Sequence, residues 1–390
     1  MSYELESQVG ENAGRARFLY VLFGTGIPSL AIAGFYLLLA SVMTQLEYGM
    51  MSYYIASALT ASNIVLLGLD RVIPSILPKT PSRELVRSAS VIILGLGLLA
   101  ALILSIIISP LAALIVIPEA TFLLGQSILL GENEYSRYFW FRLSFRFLQI
   151  GLSITFYLFF GLIGLFVGYF IGLAGPIIIT GRHVVSTTSS VRSTFETHSG
   201  FITRSYFFNL TAIASGYLDK VVVGVWYGFV ILSSYALSYQ LFWLLEILPT
   251  GLLLYLLPER SRGNEQRETR ILGFLFAILL AAGGYLLFPF VVTLILPSYS
   301  SITPLVQILC LATIPSSIAS MLIADLFAQE RAGAAAVANL AGSSSHIILL
   351  LVLGIFGLIG LGLAVLTAKV LLVVSLLVTR LIISRRIVAK

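Results

Sequence analysis

The reading of this chain turns on residues 46–78. They begin Leu46-Glu47-Tyr48-Gly49, cross an apolar run, and close as Leu67-Gly68-Leu69-Asp70-Arg71-Val72-Ile73-Pro74-Ser75-Ile76-Leu77-Pro78. A looser copy lies past the middle of the chain. It begins Tyr227-Gly228, crosses another apolar run, and closes as Tyr255-Leu256-Leu257-Pro258. A second echo is identical. Phe160-Gly161-Leu162-Ile163-Gly164-Leu165 recurs as Phe356-Gly357-Leu358-Ile359-Gly360-Leu361. Two echoes in the same order, at similar spacing, point to one duplicated unit.

Composition sets the solvent. The chain is 58% hydrophobic and 10% charged, with a mean hydropathy of +1.02. Soluble domains carry about 25% charged residues. A chain this apolar belongs in lipid, where only helices and closed barrels satisfy every backbone polar group. The apolar runs are about 20 residues long, the length of a helical span rather than of a barrel strand. Twelve spans are expected, at 18–42, 50–73, 88–108, 110–130, 139–159, 161–180, 203–225, 229–257, 271–295, 303–328, 333–354 and 359–380. Ser109-Pro110 divides the third from the fourth, because proline cannot continue a helical ladder. No cleavable signal peptide is expected in the mostly polar first 17 residues. Cys310 is the one cysteine and reads as a core residue.

Charge placement supports the count. The connections after odd-numbered spans hold no Lys or Arg. Those after even-numbered spans and the tails hold Arg15, Arg17, Lys79, Arg83, Arg260, Arg331 and others. The positive-inside rule then places both termini in the cytoplasm of a multi-pass cell-membrane protein. Orientation explains the net charge of +6, so no nucleic-acid partner is expected. The polar stretch 181–202 divides the chain into an N-terminal bundle (1–180), a cytoplasmic linker and a C-terminal bundle (203–390). With six spans each, the halves are parallel repeats related by a pseudo-two-fold axis along the membrane normal.

In these features the chain resembles the polysaccharide-export flippase branch of the multidrug/oligosaccharidyl-lipid/polysaccharide exporter superfamily. The carrying residues are Glu47-Tyr48-Gly49, Leu67-Gly68-Leu69-Asp70-Arg71 and Gly216-Tyr217-Leu218-Asp219-Lys220-Val221-Val222-Val223-Gly224. Leu296-Pro297-Ser298-Tyr299 stands where the family often has a Gly-Pro-Glu-Tyr-like turn. The resemblance implies two six-helix bundles around a cleft that opens alternately to each side. It also implies an oligosaccharide substrate on a polyprenyl phosphate or pyrophosphate. The alternative of the same fold is a cation-coupled multidrug exporter.

A phosphate head group cannot cross hydrocarbon without partners, so cations at depth are the candidate substrate contacts. Arg146 in span 5 and Lys369 in span 12 lie deepest. Arg142 sits one turn from Arg146, and Arg71 and Arg204 lie near the inner ends of spans 2 and 7. Charges inside spans face a cavity or a partner. Glu119 is a candidate partner for Arg146, or a coupling site. Asp219 is a second coupling candidate, and its neighbour Lys220 need not pair with it, since adjacent helical residues point about 100° apart. Glu246 is expected either to pair with a deep cation or to sit at a bend near Pro249. Asp70 and Asp325 are expected to reach headgroups or neighbouring arginines. His346 reads as a hydrogen-bonded core residue rather than a proton relay. Gly26 and Pro28 mark an expected hinge in span 1. A coupling ion, Na+ or H+, is compatible with these acids but not required by them. No metal site, cofactor or phosphate-binding loop is expected. The expected outer connections of under about ten residues speak against an enzyme.

Overall fold

The computed structural model describes residues 26–78, 82–185, 213–247, 267–329 and 331–388, with short pieces at 20, 23–24, 199–200, 202–203, 205–207, 209–211 and 249–250. Among the described residues the chain is helical throughout. The helices that matter below are α1 (Gly26–Val42), α2 (Gln45–Val65), α3 (Leu69–Ile76), α4 (Arg83–Ile107), α5 (Pro110–Gly131), α6 (Tyr135–Gly172) and α7 (Ala174–Val185). They continue as α8 (Asp219–Tyr227), α9 (Phe229–Leu245), α10 (Arg267–Ile295), α11 (Thr303–Ala328), α12 (Ala332–Leu353) and α13 (Gly357–Val388). Six stretches among the described residues are long and apolar enough to cross a membrane, or seven if the bent pair α2–α3 counts as one. Two of the six, Tyr135–Arg182 and Gly333–Ile382, each hold two expected spans. In whole or in part, every one of the twelve expected spans is occupied by helix.

The breaks have local causes. At Ser109-Pro110 the serine Oγ accepts a hydrogen bond from the Leu111 N–H at 3.2 Å. Proline takes the first helical position, where its missing donor costs nothing. Ser82 caps α4 the same way, accepting from the Leu85 N–H at 3.2 Å. Span 2 differs from its expected course. It bends by 44° between α2 and α3, where Leu67 and Gly68 both take positive φ (51° and 76°). A Cβ on Gly68 would lie 2.7 Å from the Tyr206 nitrogen, so both the backbone and the neighbouring segment require glycine there.

The repeated hexapeptide is a repeated structure. Gly161 (φ 60°, ψ −145°) and Gly357 (φ 71°, ψ −148°) share one conformation, in a region essentially closed to other residues. Each reverses the chain into an antiparallel helical hairpin. In both copies the second glycine of the repeat meets the preceding leg. A Cβ on Gly164 would run into the Phe156 carbonyl, and one on Gly360 into the Leu353 carbonyl.

The contacts group into two compact units. One comprises Met1–Phe35 with Ser57–Leu210, the other Tyr36–Ala56 with Thr211–Lys390. The first has a core of Leu66, Leu69, Ile73, Leu85, Ala120 and Leu124 among others. In the second, Leu322, Leu326, Ala335, Ala338 and Leu376 form such a cluster. Most of the expected linker, from 186 to 198, lies outside the described residues. Large apolar side chains stay exposed along the helices, such as Leu98, Leu102 and Ile106 on α4 and Leu279, Leu286 and Leu294 on α10. In water such surfaces would aggregate. Against acyl chains they are the outward face of a multi-pass membrane protein.

Candidate functional site

In the first unit, polar groups converge on Glu119. It follows Pro118 inside α5 and is 2% exposed. Arg146 on α6 reaches it with both terminal nitrogens, one donating to Oε2 at 3.0 Å. Tyr169, on the returning leg of the hairpin, donates its hydroxyl to the same oxygen at 2.8 Å. Arg146 also donates to Gln149 Oε1 at 2.9 Å and lies 4.2 Å from the centroid of the Phe122 ring. A bidentate pair with these extra bonds is the arrangement in which two charges can remain buried. Close packing of the hairpin makes it possible. Cβ atoms on Gly168 and Gly172 would collide with Leu152 and Gln149, so the two legs approach more closely than larger residues would allow. Of the two sequence options for Glu119, the geometry contains the pairing with Arg146.

The other expected cations of this unit are shallower. Arg142 is half-buried and donates to the Tyr138 hydroxyl at 2.7 Å. Arg71 lies 3.8 Å from Asp70. Arg204 lies outside the described residues. Gly26 and Pro28 open the helical run of α1, with Pro28 buried and open space beside Gly26.

The second unit holds a longer polar chain. A π turn, Ala214–Leu218, precedes α8. Its wider i→i+5 spacing shifts the register of α8, as such bulges often do at functional sites. Asp219 is fully buried and accepts from the Tyr235 hydroxyl at 2.8 Å. Lys220 folds back onto it, with Nζ 3.3 Å from both carboxylate oxygens and 2.9 Å from the Gly216 carbonyl. Adjacency on the helix therefore does not keep the two apart, contrary to expectation. A flexible lysine stem overcomes the 100° offset when the π turn leaves a carbonyl within its reach. The same Nζ lies 4.1 Å from the centroid of the Tyr239 ring, a cation–π contact.

Tyr239 leads through Phe242, ring to ring at 5.5 Å, to Lys369. Lys369 Nζ is 3.5 Å from Glu246 Oε2 and donates to Ser316 Oγ at 3.2 Å. Ser316 in turn donates to Glu246 at 2.8 Å. Glu246 both pairs with the deep cation and sits where α9 ends, so its two expected roles coincide. Lys369 and Glu246 retain side-chain exposures of 24% and 19%, unlike the closed Arg146–Glu119 pair. Asp325 is held by Arg270 and lies 3.7 Å from Arg380. His346 is 4% exposed, and its Nε2 has no hydrogen-bond partner among the described residues. This departs from the hydrogen-bonded core histidine expected from sequence. No cluster of metal-ligating side chains occurs among the described residues.

No protein-family model matches the sequence, and no curated protein sequence matches it. Solved structures do. The lipid II flippase MurJ in an inward closed conformation superposes with a TM-score of 0.72 at 17% identity, over 93% of this chain and 87% of that one. An inward-facing multidrug resistance MATE transporter of the MOP superfamily gives 0.65 at 15% identity, over 90% and 98%. The eukaryotic MATE transporter AtDTX14 gives 0.57 at 14% identity, over 94% and 95%. This is the MOP-superfamily fold. The all-α, twelve-span, two-bundle architecture expected from the sequence fits it.

Sequence reasoning missed the π turn, Tyr235, Tyr239 and Ser316 as parts of the site. The one available signal was Gly216, which interrupts an otherwise apolar span three residues before Asp219 and leaves the carbonyl that Lys220 uses.

Proposed function

We propose that this chain is a flippase that carries a polyprenyl-(pyro)phosphate-linked oligosaccharide from the inner to the outer leaflet by alternating access. In this reading both termini are cytoplasmic and residues 181–202 link an N-terminal and a C-terminal bundle. One observation carries the choice of substrate class. Glu119, Asp219, Glu246 and Asp325 each face a basic side chain of the same unit: Arg146, Lys220, Lys369 and Arg270. A cationic drug needs an acid that is not already neutralised. Here the less enclosed member is a lysine, and the rings of Tyr235, Tyr239 and Phe242 lie along the same polar chain, as apolar sugar faces require. Lys369 is the deep phosphate contact in this reading, with Arg142, Arg71 and Arg204 on the approach. Arg146, engaged by Glu119, contributes by shaping the first unit. The membrane potential favours outward movement of an anionic head group by about 2.3 kcal/mol per charge at 100 mV.

The test uses full-length protein reconstituted with a fluorescent lipid-pyrophosphate oligosaccharide. Lys369→Ala should slow translocation by about tenfold, the scale of one lost charged contact of about 1.4 kcal/mol, while Lys369→Arg retains part of the rate. Unchanged transport by Lys369→Ala, together with efflux of a cationic dye from the same vesicles, would replace this reading with the multidrug exporter.

A further inference from the structure

We propose that His346 is the proton-binding coupling residue of this protein, an inference that rests on the transporter reading above. The two acids expected to couple ions, Glu119 and Asp219, are both closed by fixed bases and tyrosine hydroxyls. A mobile cation would have to displace Arg146 or Lys220 to reach either of them. His346 is different. Its ring is buried on α12, with an Nε2 that nothing among the described residues engages.

The charged groups that act on the ring are Asp219 and Lys220 from α8 and Lys369 from α13. Of the other elements packed on α12, α11 brings Asp325, which Arg270 and Arg380 engage, and the π turn carries Tyr217. The short turn Gly354–Phe356 carries no titratable side chain. Asp219, Lys220, Glu246 and Lys369 sum to zero charge. A proton on His346 therefore adds one uncompensated positive charge to a dry polar cluster, which its surroundings cannot hold unchanged. Asp219 is the anion placed to answer it. Turning the carboxylate toward the imidazolium frees Lys220, whose Nζ already touches the Gly216 carbonyl and the Tyr239 ring. Proton uptake is thereby linked to a shift at the π turn, and through Tyr239 and Phe242 to Lys369. Histidine suits the task because its charge changes within the physiological pH range.

The test has two arms. First, 15N-histidine NMR of the full chain in nanodiscs, without substrate, follows the three histidines from about pH 4 to 9, with His346→Gln assigning the signal. The His346 ring signal should titrate, and Lys369→Met should move its midpoint up by about one pH unit as a like charge leaves. A signal that stays flat across the range overturns the proposal. Second, an imposed pH gradient across vesicles should change wild-type glycolipid translocation severalfold and leave His346→Gln and His346→Asn indifferent. Variants that still respond to the gradient overturn the coupling role even if the ring titrates. If wild type moves no glycolipid at all, the substrate reading fails, while the NMR arm still decides the proton site.

Discussion

The two hairpins built on the repeated hexapeptide share a turn and differ in how their legs pack. Gly161 and Gly357 adopt the same glycine-only conformation. Beyond the turn, the first hairpin continues with Gly164, Gly168 and Gly172, each in backbone-level contact with the opposing leg. The second continues with Gly360, Ala364 and Ala368, and both alanines are buried with room for their Cβ atoms. The charged residues also change legs. Arg146 lies before the first turn, whereas at the equivalent position in the second hairpin Gly342 packs against Leu372. Lys369 lies after the second turn, beside an acid at the end of α9 rather than on α5. A short repeat thus encodes the reversal alone. The residues at four-residue spacing set the leg separation, and with it which side chains can be enclosed.

Three substitution pairs would break or sharpen that contrast. Glu119→Ala leaves Arg146 buried without its anion and should destabilise the protein by about 3–5 kcal/mol. Glu246→Ala, beside the partly exposed Lys369, should cost far less. Unfolding of the two variants in detergent followed by circular dichroism compares them, and equal losses would mean both sites are equally enclosed. Gly168→Ala should cost about 1–3 kcal/mol by overpacking the first hairpin. The reverse change at the matching position, Ala364→Gly, should cost only about 0.5–1 kcal/mol through helix propensity. Midpoint temperatures measured side by side would expose a wrong assignment of leg spacing if the order inverted. Gly161→Ala and Gly357→Ala should each cost about 1–2 kcal/mol, and by similar amounts, because no neighbour lies near either position and only backbone strain is at stake. A clear inequality would mean that one turn is strained by something other than its own φ.

Much of the fold was legible because its determinants are local. Ser109-Pro110 announces a cap and a stop. The apolar run lengths match the bilayer, and an identical hexapeptide predicts an identical turn. The Glu119–Arg146 pairing was also within reach, since both lie at depth on consecutive spans. What escaped depends on register or on contacts distant in sequence. The bend at Leu67-Gly68 needs the approach of Tyr206 to explain it. Asp219 and Lys220 pair only because the preceding turn is a π turn, and nothing in Ala214-Ser215-Gly216-Tyr217-Leu218 distinguishes that from an ordinary helical turn. The isolation of His346 Nε2 is set by the absence of a donor or acceptor on its described neighbours, which no single segment records.

The π turn amounts to one surplus residue held inside an otherwise regular helix. Removing Ser215 would close the gap and rotate the remainder of the helix by about 100° relative to its start. Asp219 and Lys220 would then point away from Tyr235 while the helix itself stayed whole. A single codon's deletion would thus act as an aiming change, sparing the scaffold and emptying its polar interior.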